Sequence, residues 1–226
     1  MQIAIDTSTK TASLALVEGG EMLAELTWRC GQNHSVQLLP NLAHLLNQAK
    51  LSLSTASGVI VAKGPGDYNG LRVGLSTAKG LAYSLDVPII GISTLEVEAY
   101  QYAGMGLAVC PIFNAGRDEI ATAIYQRENE GWSQLMAEQI TTIEGLCSRI
   151  ATKTVFCGEF VPAIAARLKD ALKEKAVIIS PTANWRRAGF LAELGLKRFE
   201  NRDYDDPITL QPLYLRGPSI TQAKHR

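Results

Sequence analysis

Three glycines within seven residues, set between an apolar run and a helical one, constrain this chain more than any other feature. Residues 64–82 read Gly64-Pro65-Gly66-Asp67-Tyr68-Asn69-Gly70-Leu71-Arg72-Val73-Gly74-Leu75-Ser76-Thr77-Ala78-Lys79-Gly80-Leu81-Ala82. Before them, Gly58-Val59-Ile60-Val61-Ala62 is short, apolar and β-branched, the pattern of a buried strand. Strand, glycine turn and helix together either aim backbone N–H groups at a ligand or let a second backbone come close. The spacing excludes two ligand loops. Walker A needs Gly-Lys-Ser/Thr where Gly70 is followed by Leu71-Arg72, and the dinucleotide fingerprint needs a third glycine where Asn69 stands. Asp67 would also repel a phosphate at that helix N-terminus.

The remaining pattern is α/β. Residues 3–8, 12–17 and 22–28 read as strands, with Gly19-Gly20 as a hairpin turn. Helices are expected over 35–50 and 71–85, a strand over 87–92, and then a helix capped by Thr94 that carries Glu96 and Glu98 in its first turns. After Gly104-Met105-Gly106 the pattern restarts. A hairpin covers 107–113 and 119–125, and Thr141-Thr142-Ile143-Glu144 is a capping-box pattern opening a helix. A strand at 155–157, a helix at 161–175, a strand at 176–179 and a last helix from Trp185 to Phe199 follow. Strands followed by helix, strand, helix thus occur twice, which reads as a duplicated unit with mixed sheets. The first lobe is expected at 1–105 and the second at 106–226, the C-terminal tail being a candidate to return to the first lobe.

At 226 residues the chain can build such a pair of lobes with ample core. Its 22 basic and 22 acidic residues balance to a formal net charge of zero, so it lacks the electrostatic footprint of a protein that binds nucleic acid alone. Cys30, Cys110, Cys147 and Cys157 are scattered with no Cys-x-x-Cys pair, the usage of buried free thiols in a reducing compartment. No charged leader and no apolar run of membrane-spanning length is visible, so a cytoplasmic protein is expected.

Two helices carry more apolar surface than one core requires. On the helix over 35–50, Leu38, Leu39, Leu42, Ala43, Leu45, Leu46 and Ala49 cover about half the circumference at ~100° per residue, whereas a stripe of about 100° suffices for a single core. On the helix over 71–85, Gly74, Ala78 and Ala82 recur every four residues beside Leu71, Leu75, Leu81 and Leu85. Small residues on one face let another backbone approach. A helix bundle across a subunit boundary fits both patterns, and so does packing inside the first lobe. In the first case Leu42 and Ala78, at the centres of their faces, point outward.

The block from Gly64 to Gly74 resembles the Gly-Pro-Gly-Ser-Phe-Thr-Gly-Leu-Arg-Val-Gly signature of the bacterial TsaB (YeaZ-type) family, with Asp67-Tyr68-Asn69 replacing Ser-Phe-Thr. Further likeness lies at Asp6-Thr7-Ser8, at His34 to Pro40 and at Pro212-Leu213-Tyr214-Leu215-Arg216. The resemblance implies an actin-like ATPase (ribonuclease H-like) fold of two lobes. It makes Gly64, Pro65, Gly66, Gly70, Arg72 and Gly74 the family-motif loop, and Asp6, Thr7 and Ser8 a vestigial nucleotide site. Related TsaD-type, glycoprotease-like enzymes carry His-x-x-x-His on the first long helix, where two imidazoles on one face can hold a metal. Here His34 is followed four residues later by Leu38, and His44 is off that face.

The resemblance therefore implies a non-catalytic partner in making threonylcarbamoyladenosine on tRNA, with no metal or cofactor of its own. Its partners would be a TsaD-type transferase and a TsaE-type ATPase. The wide apolar arc and the small-residue face predict a homodimer through the helices 35–50 and 71–85 when the chain is alone, and tRNA would be met only through the complex. The surface implied for pairing comprises His34, Leu38, Leu42, Leu45, Leu71, Gly74, Leu75, Ala78 and Ala82. The alternative is an ATP-dependent phosphotransferase or ATPase of the same fold, using Asp6 and the glycine loop. A metallopeptidase is a third reading, against which the missing second histidine weighs.

Overall fold

The computed structural model describes residues 1–128 and 131–216. Strands β1 (Gln2–Asp6), β2 (Thr11–Glu18) and β3 (Glu21–Arg29) form an antiparallel meander, followed by α1 (His34–Gln48), β4 (Gly58–Ala62), α2 (Tyr68–Leu85), β5 (Ile89–Ile92) and α3 (Thr94–Tyr100). The sheet order is β3-β2-β1-β4-β5, with β4 and β5 running parallel to β1. The same plan is then repeated. Strands β6 (Ala108–Gly116), β7 (Glu119–Glu128) and β8 (Gly131–Thr142) form a meander, followed by α4 (Ile143–Cys147), β9 (Thr154–Cys157), α5 (Val161–Leu172), β10 (Ala176–Ile178) and α6 (Ala188–Glu200). The second sheet runs β10-β9-β6-β7-β8, which is the first order read with each strand replaced by its counterpart.

The central strands of the first sheet are apolar on both faces because both faces are covered. Ile3, Ile5, Val59 and Val61 pack beneath α1 and α2, whereas Ala4, Ile60 and Ile90 face α6. The last helix of each unit crosses over. Helix α3 touches β6 and β7, and α6 lies across the first sheet from β1 to β5. Helix α3 therefore has two cores to fill: Val97 and Tyr100 serve the first lobe, Leu95 and Ala99 the second. Helix α6 and the segment after it return to the first lobe, and the described chain ends against the second, where Arg216 donates to the Ala115 carbonyl (3.2 Å) and pairs with Glu119. Leu213 donates its N–H to the Lys63 carbonyl (2.7 Å), and Leu210 joins the first core.

Several boundaries differ from the sequence expectation. Strand β8, twelve residues long, was not expected; it is an edge strand with no fully buried residue, Leu135 on its exposed side and a shifting register against β7, so no period-2 signal marks it. Helix α6 begins at Ala188, because Trp185 and Arg186 belong to the connection before it. Ser93, not Thr94, caps α3, its hydroxyl accepting from the Glu96 N–H. Thr142 caps α4 and accepts from the Gly145 N–H, so Thr141 does not form the expected capping box. The 116–119 turn has Arg117 and Asp118 both at positive φ, a tight two-residue hairpin loop.

Candidate functional site

The glycine block and the Asp6-Thr7-Ser8 turn, far apart in sequence, are one object in space. A Cβ on Gly66 would overlap the Ser8 carbonyl, one on Gly70 the Thr7 carbonyl, and one on Gly74 the Thr7 hydroxyl. Hydrogen bonds hold the two loops face to face. Asp67 N–H donates to the Ser8 carbonyl (2.6 Å), and Thr7 Oγ1 donates to the Gly70 carbonyl (2.8 Å). Behind them, Gly64 N–H donates to Thr94 Oγ1 (3.0 Å). The glycines thus serve close backbone approach, the second of the two roles such a turn can have. Asp67, which departs from the family signature, caps α2 by accepting from the Gly70 N–H (2.9 Å). Arg72 donates to the Tyr68 hydroxyl (2.7 Å) on the exposed side and touches no ligand position on the loop.

The floor of the inter-lobe cleft is filled by Arg186. It is 3% exposed, Asp6 1% and Glu98 0%. Arg186 Nε donates to Asp6 Oδ2 (2.5 Å) and Nη1 to Glu98 Oε2 (3.2 Å). Nη2 donates to Ser8 Oγ (3.0 Å) and Thr9 Oγ1 (3.1 Å). Ser8 Oγ and Ser8 N–H both donate to Asp6 Oδ1. The guanidinium carbon lies 5.5 Å from the centre of the Phe113 ring. Burial pushes Glu98 up to about 7, with Arg186 pulling the other way. Burial also opposes the charge on Arg186, but Asp6 and Glu98 more than offset it and hold its proton more tightly than water would.

Above this floor the cleft is open, with a volume of about 710 Å³. Lys10, Arg29, Tyr68, Glu159, Phe160 and Trp185 line it. Asp6, which the resemblance implies as part of a vestigial nucleotide site, is engaged by a cation from the same chain. The residues present therefore do not fit a metal–nucleotide pair at Asp6. Cys110 and Cys157 are fully buried, and burial raises the first to about 12 and the second well above its ordinary value, so neither thiol is a nucleophile at neutral pH. Among the described residues no cluster of three or more His, Cys, Asp or Glu side chains is placed to hold a metal. Among them, too, no helix is long and apolar enough to cross a membrane.

His34 is 3% exposed, and its Nε2 donates to the Thr9 carbonyl (2.7 Å). A carbonyl can only accept, so this nitrogen carries the proton. The ring braces the β1–β2 turn against the start of α2, with Gly70 leaving room for it. The other residues expected to form a pairing surface are also internal. Leu38, Leu42, Leu45, Leu71, Gly74, Leu75, Ala78 and Ala82 are all buried, and most of them build the core between α1, α2 and the first sheet. The expectation that Leu42 and Ala78 point outward is corrected here. The two helices lean on each other as well as on the sheet, so most of the wide apolar arc is used inside the lobe. What remains outward on α1 is Val36 (67% exposed), Leu39 (52%) and Ala43. On α2 it is Ser76, Gly80 and Tyr83 (86% exposed).

Sequence reading missed Arg186 altogether and took Glu98 for a helix-dipole residue. Arg186 meets Asp6 across 180 residues and Glu98 across 88, so no local pattern signals the cluster. The tandem Arg186-Arg187 before an apolar helix was the only hint.

Comparison with known proteins agrees with this architecture. Residues 28–216 match the family model described as TsaD, tRNA N6-adenosine threonylcarbamoyltransferase. The tRNA threonylcarbamoyladenosine biosynthesis protein TsaB of Bacillus subtilis is 33% identical over 217 residues, covering 95% of this chain and 93% of that one. A crystal structure from Pseudomonas aeruginosa, of an uncharacterized protein with similarity to peptidase YEAZ, superposes with a TM-score of 0.82 at 22% identity, covering 95% of this chain and 99% of the other. More distantly, a ROK hexokinase of Thermus thermophilus shares the fold at a TM-score of 0.51 and 10% identity, over 86% of this chain and 99% of its own.

Proposed function

We propose a function from one premise: the chain belongs to the TsaB family, whose members are named for threonylcarbamoyladenosine biosynthesis on tRNA. Within that process its role is a scaffold without chemistry of its own. It pairs with a TsaD-type transferase, a TsaE-type ATPase joins the pair, and tRNA is met through the assembly. One observation carries the reading. Asp6, the residue best placed to approach a metal or phosphate, is neutralised from within by Arg186 at 2.5 Å. The same ion pair weighs against the phosphotransferase alternative, which requires Asp6 to be free.

The pairing surface we propose is the outward side of α1 and α2. Val36, Leu39 and Ala43 are spaced i, i+3, i+7, and Ser76, Gly80 and Tyr83 are spaced i, i+4, i+7, so each set forms one stripe. In isolation the same surface joins two copies of the chain, and homodimer and heterodimer exclude each other. The test is calorimetric titration of the TsaD-type transferase with wild type and with Leu39→Asp. The variant keeps the wild-type thermal midpoint and binds more weakly by at least ~2 kcal/mol, the scale of an interface hot spot. Native affinity in a folded Leu39→Asp protein rejects this surface. Saturable micromolar binding of ATP with magnesium by the isolated chain rejects the non-catalytic reading.

A further inference from the structure

The lobes are joined by a strap, residues 179–187, running from the end of β10 to the start of α6. Its side chains grip both lobes. On the second-lobe side Asn184 pairs with the backbone of Gly158 in both directions. Oδ1 accepts from the Gly158 N–H (2.8 Å), and Nδ2 donates to the Gly158 carbonyl (2.8 Å). Tyr102 holds the strap from below, donating to the Ala183 carbonyl (2.7 Å). Two residues further on, Arg186 binds Asp6, Ser8 and Thr9 of the first lobe, and Glu98 on the helix between the lobes. Thr9 completes the circuit by donating to Glu159, which follows β9 of the second lobe.

We propose that Asn184 and Arg186 form a permanent inter-lobe latch, so that the angle between the lobes is set by the chain itself and not by a ligand in the cleft. Because Asn184 holds the strap to the second lobe, parting of the lobes by about one or two ångströms would draw Arg186 off its first-lobe partners at 2.5–3.1 Å. Opening would leave two carboxylates and a guanidinium without partners in a dry site, one of the more costly changes a fold can undergo. The cation that a nucleotide would bring to such a cleft is supplied by residue 186, and the closed arrangement needs no cofactor to persist. This inference does not rest on the pairing surface proposed above.

Amide hydrogen exchange tests it on the full chain. Ser8 N–H, bonded to Asp6, reports on the first-lobe end, and Gly158 N–H, bonded to Asn184, reports on the second. Arg186→Met is expected to accelerate exchange at both ends by at least tenfold while amides in β4 keep wild-type rates. Small-angle scattering then shows a larger radius of gyration. Acceleration at Ser8 with Gly158 unchanged makes Arg186 a local ion-pair partner and overturns the latch. Should Arg186→Met not fold, the variant with Asp6→Asn, Glu98→Gln and Arg186→Met carries no buried charge and serves instead. If it keeps wild-type protection at Gly158 and a wild-type radius of gyration, the lobes do not depend on the latch and the proposal fails.

Discussion

In the first lobe the loop after β4 and the first turns of α2 bring Gly66, Gly70 and Gly74 against the β1–β2 turn, whereas in the second the loop after β9 brings one glycine, Gly158, against Ile112 of β6. Helix lengths differ in the same direction. Helices α1 and α2 have 15 and 18 residues, but their counterparts α4 and α5 have 5 and 12. Two copies of one topology have therefore been put to different uses. Backbone contact without side chains between is the shortest link a protein can make, and it fixes where α2 begins and how it is tilted. Helix α1 leans on α2, so the outward stripe on both inherits that rigidity. The second lobe has neither long helices nor glycine contacts of this number, and in the latch proposed above it is held to the first through the strap.

The sharpest way to break the comparison lies within α1, where one face belongs to the lobe and the other to solvent. Leu42→Ala empties a site that is 2% exposed and should cost about 2–5 kcal/mol of stability in urea unfolding. Leu39→Ala on the neighbouring face should change stability by no more than about 0.5 kcal/mol. Equal losses at the two positions would mean that the division between core and outward stripe is wrong.

Next in size comes the glycine contact itself. Gly70→Ala drives a Cβ into the Thr7 carbonyl, which is backbone and cannot yield easily, so a loss of about 3 kcal/mol is expected. Gly80 sits on the same helix with nothing within 4 Å, and Gly80→Ala should gain up to about 1 kcal/mol from helix propensity. In the second lobe, Gly158→Ala should fail for two reasons. Its φ is +106°, and its Cβ would stand 2.5 Å from the Ile112 carbonyl oxygen. A tolerated Gly70→Ala would show that the first-lobe loops are not held by close approach.

How much of this was legible in the sequence depends on the range of the interaction. The bounds of β4 follow from five apolar residues between polar ones, and the glycine turn announces itself. Legibility fails where the deciding partner is remote. Periodicity gives the width of the apolar arc on α1 but not the identity of what covers it, and here the covering element is α2. The family resemblance singled out Asp6 as part of a vestigial nucleotide site, yet its partner at 186 is a matter of tertiary placement. Strand β8 shows a different failure, because an edge strand with no fully buried residue and a shifting register carries little hydrophobic pattern.

The buried carboxylate at the lobe boundary sharpens the comparison through pH. Glu98 titrates in the folded protein near 7, above its unfolded value, because burial penalises its charge. Between the two values the folded state holds the proton that the unfolded state has released. Its contribution is therefore complete below the unfolded value and is lost as pH rises through the folded one. The slope is at most about 1.4 kcal/mol per pH unit. Glu98→Gln should flatten the stability curve between pH 5 and 7, while Arg186 keeps Asp6 as its partner. An unchanged slope would place the titrating group elsewhere.

The smallest difference concerns how the matching helices begin. Helix α2 opens with a side-chain cap, Asp67 accepting from the Gly70 N–H at 2.9 Å. Helix α5, its counterpart, has no side-chain cap and instead carries Pro162 in its first turn. Proline is preorganised for that position and lacks the N–H that would need a partner. Asp67→Ala leaves the Gly70 N–H without its acceptor, in the segment where the loops are closest. A loss of about 1 kcal/mol is expected, typical of a removed cap. Asp67→Ser, which keeps an acceptor in reach and restores the residue type of the family signature, should recover most of it. The Asp67→Ala loss should also be accompanied by faster amide exchange at Gly70 and Leu71, with α5 unaffected. If Asp67→Ala costs nothing, the backbone contacts to Ser8 and Thr7 alone fix the start of α2, and the aspartate in place of the family serine is without structural consequence.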